Sequence, residues 1–372
     1  MTSSTLSHDA PSEQTPPPAP SSAPAQRRLS WGAVLSRLGP LIGLVFVIAL
    51  FSALRYDTFF TVNNFELILR QTAVVGIAAL GMTLIIIAGG IDLSVGSAVA
   101  VVCVALALFM PHKVSDPATG LETVTQGLSP ALAVVGAIAV GMLIGVVNGA
   151  LITRLRLAPF IITLGMMSLL RGAAQGLADR TMVYPGVPGN PRAPAELGFL
   201  GSLLQPISDE HVWLLTPGVW LMLILAICVA AMLRYTRFGR YIFAIGSNEQ
   251  TARLCGVPVE RTKLLIYVTA AALTAVAGIL QYSYLRMGDP TTAVGMELDI
   301  IAAVVIGGAS LTGGQGTVLG SLVGALIMTV VANGCSKLGL ENEVQLMVTG
   351  VIIIIAVALD RLRQRKSAAA EG

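Results

Sequence analysis

TAVVGIAALGMTLIIIAGGIDLSVGSAVAVVCVALALFM, residues 72–110, decides the fold class of this chain. Asp92 is the only charged residue in the stretch, and an apolar run lies on each side of it. A helix needs roughly 20 predominantly apolar residues to cross a bilayer, and each run approaches that length. The stretch therefore predicts two membrane-spanning helices that are joined by a short glycine-rich turn.

The composition extends this prediction to most of the chain. Charged residues make up 12% and hydrophobic residues 55%, with a mean hydropathy of +0.79, whereas a soluble domain is roughly 25% charged. We predict an all-α polytopic membrane protein with about ten transmembrane helices, including short or broken ones. The first is short unless it begins near Trp31, and the eighth is shorter still. Their cores are expected at residues 39–54, 72–89, 93–110, 129–152, 158–178, 212–233, 264–285, 298–312, 314–336 and 344–359.

The distribution of charge predicts the domain organisation and the orientation. Residues 1–30 are rich in Ser, Thr and Pro, which predicts a disordered tail, and no apolar signal-peptide segment follows a basic start. Residues 31–362 form the transmembrane domain, and residues 363–372 form a second tail. If the amino terminus is cytosolic, alternate loops collect most of the 23 basic residues. The positive-inside rule therefore places both termini and the 240–263 loop in the cytosol.

A short, well-ended helix is predicted inside that loop. Ser247 or Asn248 is suited to cap its start, and Gln250 is placed to complete a capping box with Ser247. A left-handed turn at Gly256, followed by Pro258, is expected to end the helix about two turns later. From these residues alone, the helix either transmits force to a partner or only orders a long surface loop.

A repeated pattern marks two turns between apolar runs. GGIDLSVG at 89–96 and GGASLTGG at 307–314 share G-G-x-x-L-[ST]-x-G. The run after Asp299 has about seven residues, or roughly 10 Å of helix, which is too short to span. Two interpretations stay open, because irregular backbone at membrane depth either lines a path or packs tightly. Asp92 has the further alternative of capping the next helix. The candidate path residues are Gly89, Gly90, Asp92, Ser94, Gly307, Gly308, Ser310 and Thr312.

The sequence gives little support for nucleotide binding by the chain itself, for ion coupling or for catalysis. None of the four lysines follows a G-x-x-x-x-G, so the chain lacks the phosphate-binding loop of a nucleotide-binding protein. Only Asp92, Arg171 and Asp299 approach intramembrane positions, which argues against ion coupling, and Arg171 either snorkels to the interface or is buried. The histidines and cysteines have no metal or hydrolase spacing. We expect a protein that is not an enzyme, with no cofactor, metal or nucleic-acid partner.

Four motifs in order resemble the ribose-permease family, the membrane subunits of bacterial ATP-binding-cassette sugar importers. The resemblance covers the chain from about Leu41 to Leu362. The motifs are GGIDLSVGS at 89–97, NGALITRLRLAPFIITLGMMSLLRG at 148–172, GRYIFAIGSNEQTARLCGVPV at 239–259 and LDIIAAVVIGGASLTGGQGTVLGSLVGALI at 298–327.

This resemblance implies a multi-pass permease of the bacterial inner membrane. Its partners would be membrane lipid, a second permease copy, a cytosolic ATPase and a periplasmic binding protein that delivers a monosaccharide. The short helix in the 240–263 loop would be the element that couples to the ATPase. An amino-acid or nucleoside permease and a gradient-driven carrier are the alternatives. The candidate coupling residues are Ser247, Asn248, Glu249, Ala252, Arg253 and Gly256.

Overall fold

The computed structural model describes residues 31–115, 122–190, 198–204 and 215–371. The chain divides into two units, Met1–Leu38 and Gly39–Gly372, and the helix bundle belongs to the second. The predicted tail at residues 1–30 lies outside the described residues.

The described residues contain fourteen helices and one two-stranded antiparallel hairpin. In chain order they are α1 (Trp31–Leu54), α2 (Tyr56–Phe59), α3 (Val62–Ile87), α4 (Val95–Phe109), β1 (Lys113–Ser115), β2 (Glu122–Val124), α5 (Pro130–Leu155), α6 (Pro159–Leu177), α7 (Phe199–Ser202), α8 (Pro217–Tyr235), α9 (Arg237–Ser247), α10 (Glu249–Leu254), α11 (Val259–Leu285), α12 (Met296–Ile306), α13 (Val318–Lys337) and α14 (Asn342–Glu371).

The architecture is that of an all-α polytopic membrane protein, with the β1–β2 hairpin as its only departure within the described residues. Six helices, α3, α5, α6, α8, α11 and α13, are long and apolar enough to cross a membrane. Shorter apolar helices occur at Gly39–Leu54, Val95–Phe109 and Glu343–Ala358. Every predicted core overlaps a helix. The eighth core, expected at 298–312, ends at Ile306 because residues 307–317 are irregular, and α14 extends beyond the tenth core to Glu371.

Local chemistry starts several of the long helices. Pro130, Pro159 and Pro217 open α5, α6 and α8 at a position whose N–H would be unsatisfied in any case. The hydroxyl of Thr61 accepts a hydrogen bond from a backbone N–H in the first turn of α3, and Thr317 does the same for α13. These residues place the helix starts independently of tertiary packing.

Burial shows which helices form the centre of the bundle. In α3, 83% of the most apolar 18-residue window is buried, whereas the corresponding fraction in α6 is 22%. The buried side chains of α3 pack with those of α8, α11, α12 and α13 in one large apolar cluster. α3 is therefore the central helix, and α6 lies at the periphery.

A row of glycines lets α5 and α11 approach closely. A Cβ at Gly145 would lie 2.6 Å from the carbonyl oxygen of Tyr267, and one at Gly141 would lie 2.5 Å from the Cβ of Ala275. Gly149 continues the row on the same face, where a Cβ would lie 3.0 Å from the Cα of Leu264 on α11. Small residues at four-residue spacing are typical of close helix pairs in membranes. This contact fixes α11, which carries the predicted coupling loop at its amino end.

Candidate translocation path and coupling helix

Helix α9 precedes the predicted short helix and was not predicted. The hydroxyl of Thr236 caps it by accepting a hydrogen bond from the N–H of Gly239 at 3.1 Å. Ile242 and Ile245 are buried, and Phe238 packs against the core. These three apolar residues recur at spacings of four and three, which is the signal that indicates an amphipathic helix.

Asn248 forms the amino-terminal cap of α10. Its side-chain oxygen accepts a hydrogen bond from the N–H of Thr251 at 2.9 Å. Ser247 is instead the last residue of α9, so the predicted capping box between Ser247 and Gln250 was wrong. Ser247 thus ends α9 and Asn248 caps α10. Because no longer linker separates the two helices, their relative orientation has little conformational freedom.

The carboxyl end of α10 is closed by a left-handed glycine. Gly256 has φ +83°, a conformation that other residues rarely adopt. Its N–H donates to the carbonyl oxygen of Arg253 at 3.1 Å, and the N–H of Val257 donates to that of Ala252 at 3.0 Å. The left-handed turn predicted at Gly256 is confirmed, and both ends of α10 are fixed by local chemistry.

Two ion pairs connect α10 to the start of α11, and a third lies within α10. Arg253 contacts Glu260 at 2.5 Å and Glu249 at 3.5 Å, and Lys263 contacts Glu249 at 2.7 Å. The i, i+4 pair between Glu249 and Arg253 is therefore part of a larger network. The hydrogen bond to Glu260 raises the pKa of Arg253 above its ordinary value. Because water screens such pairs, the network orients α10 more than it stabilises the fold.

The candidate coupling residues divide between two faces of α10. Ala252 is 4% exposed and packs against Ile245 and Val259, so its side chain is unavailable to a partner. The other five are at least partly exposed, namely Ser247, Asn248, Glu249, Arg253 and Gly256. The sequence alone did not distinguish these faces, because six residues contain too few apolar positions to define one.

The two repeated motifs end their helices in the same way. After α3, Gly89 has φ +79° and its N–H donates to the carbonyl oxygen of Ile86 at 2.9 Å. After α12, Gly308 has φ +92° and donates to Val305 at 2.9 Å. The structurally equivalent glycines are therefore Gly89 and Gly308, whereas the sequence pattern pairs Gly89 with Gly307. The helix ends of the two motifs therefore match when one motif is shifted by one residue against the other, because a left-handed glycine then follows each helix at the same position.

Farther along each motif, the original sequence pairing does hold. The carboxylate of Asp92 accepts hydrogen bonds from the N–H of Ser94 at 2.8 Å and from its hydroxyl at 2.6 Å. The hydroxyl of Ser310 accepts from the N–H of Thr312 at 3.3 Å, and the two hydroxyls lie 2.8 Å apart. α4 begins at Val95 with Ser94 as its flanking residue, so the expected cap by Asp92 was wrong. Asp92 instead stabilises the turn before the helix.

The two motifs meet each other and α9 at a glycine junction, formed by Gly89, Gly246, Gly313 and Gly314. The N–H of Gly314 donates to the carbonyl oxygen of Ile87 at 2.8 Å. A Cβ at Gly246 would overlap that same carbonyl oxygen, and one at Gly313 would lie 3.1 Å from the Cα of Gly89. The end of α3, the α12–α13 turn and the end of α9 are thus in backbone contact, directly before the coupling helix.

The candidate path residues are divided by exposure. Gly89, Gly308 and Thr312 are exposed, whereas the other five, Gly90, Asp92, Ser94, Gly307 and Ser310, are buried. The hydroxyl of Ser94 also accepts a hydrogen bond from the side-chain amide of Asn148 at 2.9 Å, which ties the first turn to α5. The motifs therefore combine tight packing with a few accessible positions.

A cavity of about 230 Å³, termed the polar cavity for its five polar side chains, lies between α3, α11, α12 and α13, and most of its wall is apolar. Gln281 follows Val259, the first residue of α11, by 22 residues, or about 33 Å of helix. The cavity is therefore at the opposite end of α11 from α10. Its lining consists of Gln71, Val74, Val75, Gln281, Tyr284, Met296, Asp299, Met328, Thr329 and Ala332. Of these residues, only Asp299 was singled out from the sequence, as an intramembrane ionisable group.

Arg171 is buried in part and holds the segment that leads into α12. Its guanidinium donates to the carbonyl oxygens of Thr292 at 2.7 Å, Pro290 at 3.2 Å and Ala293 at 3.4 Å. Of the two alternatives left open for this residue, the structure supports a packed role over snorkelling. Arg171 thereby fixes the amino end of the helix that carries Asp299.

Comparison with known proteins identifies the family. A family model described as the permease component of a branched-chain amino acid transport system matches residues 64–357. The ribose import permease protein RbsC of Escherichia coli strain K12 is 39% identical over 339 residues, which cover 91% of this chain and 98% of the relative. The chain belongs to the ribose-permease family.

Two further relatives agree with this assignment of the permease. The ribose import permease RbsC of Bacillus subtilis strain 168 is 37% identical over 90% of this chain and 96% of its own length. The fructose import permease FrcC of Rhizobium meliloti is 35% identical over 87% of this chain and 84% of its own length. No solved structure matches the chain.

The family assignment supplies the class and location of the permease. It is the transport subunit of an ATP-binding-cassette system, rather than a catalytic enzyme, and a multi-pass protein of the inner membrane. The glycine junction, α10 and the polar cavity all lie within residues 64–357, the region that the family model matches.

Proposed function

We propose that this permease forms the translocation path of an importer for a monosaccharide, either a pentose or a hexose. A periplasmic binding protein delivers the sugar, and a separate cytosolic ATPase drives its passage. The substrate class is supported by relatives that are named as ribose and fructose permeases. Amino acids or nucleosides are the alternative substrates, since the matching family model carries an amino-acid description.

The observation that carries this proposal is the backbone contact between α9 and both glycine turns. α10 presents Asn248, Glu249 and Arg253 to the ATPase, and its fixed ends make it rigid enough to transmit a displacement. The displacement reaches Gly246 in the last turn of α9, and the backbone of Gly246 contacts the end of α3 and the α12–α13 turn. Motion at the ATPase surface thereby reaches the helices around the path without an intervening flexible side chain.

The glycine turns provide the path near its cytosolic end. Exposed Gly89, Gly308 and Thr312 line it, while buried Asp92 and Ser310 hold the turns in shape through the hydroxyls two residues later. In this arrangement both termini are cytosolic and the path is completed by a second permease copy. The domains are a cytosolic tail at 1–30, a permease domain at 31–362 with the coupling loop at 240–263, and a cytosolic tail at 363–372.

Reconstitution tests the function directly. The permease is inserted into proteoliposomes with its partner ATPase and binding protein, and uptake of labelled D-ribose, D-fructose and L-leucine is measured with and without ATP. We expect uptake of a sugar that requires ATP and the binding protein. Uptake driven by an ion gradient without ATP would contradict the importer assignment, and uptake of leucine alone would contradict the substrate class.

Cysteine labelling tests the path. In a background without the four native cysteines, we expect Thr312→Cys to react with a small water-soluble thiol reagent at a rate that ATP turnover changes. Ser94→Cys is the matched control, because Ser94 is 1% exposed and should react far more slowly. If Thr312→Cys stays as unreactive as Ser94→Cys in every state, the motifs are packing turns only.

A further inference from the structure

One carboxylate, two carboxamides and two hydroxyl groups converge on the polar cavity between α3, α11, α12 and α13. They belong to Asp299, Gln71, Gln281, Tyr284 and Thr329. Ionisable groups within membrane segments are expensive, and they mark substrate or ion pathways by default. Gln281 and Tyr284 are three residues apart on α11, but the other residues lie far apart in the chain, so only the bundle brings the whole set together.

The hydrogen-bonding capacity of the cavity suits a polyhydroxylated ligand. As a carboxylate, Asp299 accepts only, through two oxygens, whereas Gln71 and Gln281 can donate and accept. The side-chain amide of Gln281 donates to the hydroxyl of Thr292 at 2.8 Å, and that of Gln71 lies 3.5 Å from the Tyr284 hydroxyl. These contacts hold both carboxamides in place. A sugar hydroxyl both donates and accepts, so it can use each kind of group.

The remaining wall of the cavity is apolar. Val74, Val75, Met296, Met328 and Ala332 complete the lining, and a mixture of apolar surface with a few placed polar groups is typical of small-molecule sites. None of the lining residues is arginine or lysine. A free amino acid could pair its ammonium group with Asp299, but no lining residue would neutralise its carboxylate, and burial of that unpaired charge disfavours this substrate class.

The position of Asp299 connects the cavity to the coupling machinery. Asp299 lies in the first turn of α12, and α12 ends at Ile306, directly before the turn that enters the glycine junction. The interval is seven residues, or about 10 Å of continuous helix. Any ligand held by Asp299 is thus held by a helix whose other end contacts the glycine turns.

We infer that this cavity is a monosaccharide-binding site within the permease and that Asp299 accepts hydrogen bonds from sugar hydroxyls there. This inference rests on the proposed function, since it names the residues that contact the imported sugar. Gln281 and Gln71 complete the polar contacts, and the valines and methionines pack against the C–H faces of the ring.

Direct binding measurements test the inference. The full-length permease and its ATPase are placed in nanodiscs without the binding protein, and binding of labelled D-ribose and D-fructose is measured at equilibrium. Loss of a hydrogen bond to a charged group costs about 1.5–3 kcal/mol, so Asp299→Asn should weaken sugar binding by about 10-fold to 100-fold. Gln281→Leu should weaken it in the same direction by a smaller factor.

Asp57→Asn is the matched control, because it makes the same chemical change at an exposed position on α2. Its sugar affinity should equal that of the wild type. Gel filtration shows whether each variant is folded, and Gln281→Leu carries the test if Asp299→Asn is not. Sugar binding that is unchanged in the folded cavity variants would overturn the inference, as would the absence of sugar binding by a wild-type complex that transports sugar. Both outcomes leave the proposed function intact, whereas binding of L-leucine in place of sugar would overturn both.

Discussion

Replacement of Gly246 by alanine tests the glycine junction most directly. A Cβ at Gly246 would overlap the carbonyl oxygen of Ile87 and would lie 2.5 Å from the backbone nitrogen of Gly314. These two atoms belong to the hydrogen bond of 2.8 Å that joins α3 to the α12–α13 turn. Since backbone atoms cannot rotate aside as a side chain can, alanine must push the two segments apart.

The expected magnitude follows from two contributions. Overpacking in a well-filled interior costs about 1–3 kcal/mol, and the net loss of one hydrogen bond costs about 1 kcal/mol. Together, Gly246→Ala should destabilise the permease by about 2–4 kcal/mol. A loss of that size should lower the midpoint of thermal unfolding by about 5 °C or more. Because the junction lies next to α10, stimulation of the ATPase by sugar-loaded binding protein should fall more than basal hydrolysis does.

Gly172 provides a matched control for Gly246→Ala. It has open space around its Cβ position on α6, so Gly172→Ala should keep wild-type stability and coupling. Gly256 is equally open but has φ +83°, so Gly256→Ala should add a strain of about 1 kcal/mol at the end of α10 and lower coupling without disturbing the junction. Unfolding is followed by gel filtration after heating, and ATP hydrolysis is measured in the reconstituted complex. A Gly246→Ala protein that matches Gly172→Ala in both assays would refute the role of the junction.

Other consequences of the structure can be checked separately. Asn248→Ala removes the cap of α10 at a cost of about 1 kcal/mol, so hydrogen exchange of the α10 amides should become about fivefold faster. Ser247→Ala should leave the exchange rate unchanged, and equal rates in the two variants would contradict the assignment of the cap. An impermeant thiol reagent added outside cells that lack the native cysteines should label Glu122→Cys but not Gln250→Cys, and the reverse pattern would overturn the orientation. Gly145→Leu should greatly reduce the yield of folded permease in fluorescence-detected gel filtration, because α11 leaves no room there; a normal yield would show that α5 and α11 can separate.

Local chemistry explains why part of the candidate site was predictable. The left-handed turn at Gly256 was predicted because this conformation strongly favours glycine, whatever the tertiary context. The choice between Ser247 and Asn248 as cap was not resolved, because both side chains can accept the necessary hydrogen bond. The presence of α9 decides it, since Ser247 is needed as the last residue of that helix. The shared sequence pattern likewise predicted a turn at each repeated motif, but it paired Gly89 with Gly307 instead of Gly308.

The sequence by itself determined the membrane class, the approximate spans and the rigid ends of α10. These features depend on the length of apolar runs against the thickness of a bilayer, and on the conformational preferences of single residues. Only the tertiary structure decided that Ala252 faces inward, that Gly246 meets both glycine turns, and that Gln71, Gln281 and Asp299 share one cavity. Such contacts join residues that are distant in the chain, and they depend on how closely whole helices pack, which no local pattern of residues specifies.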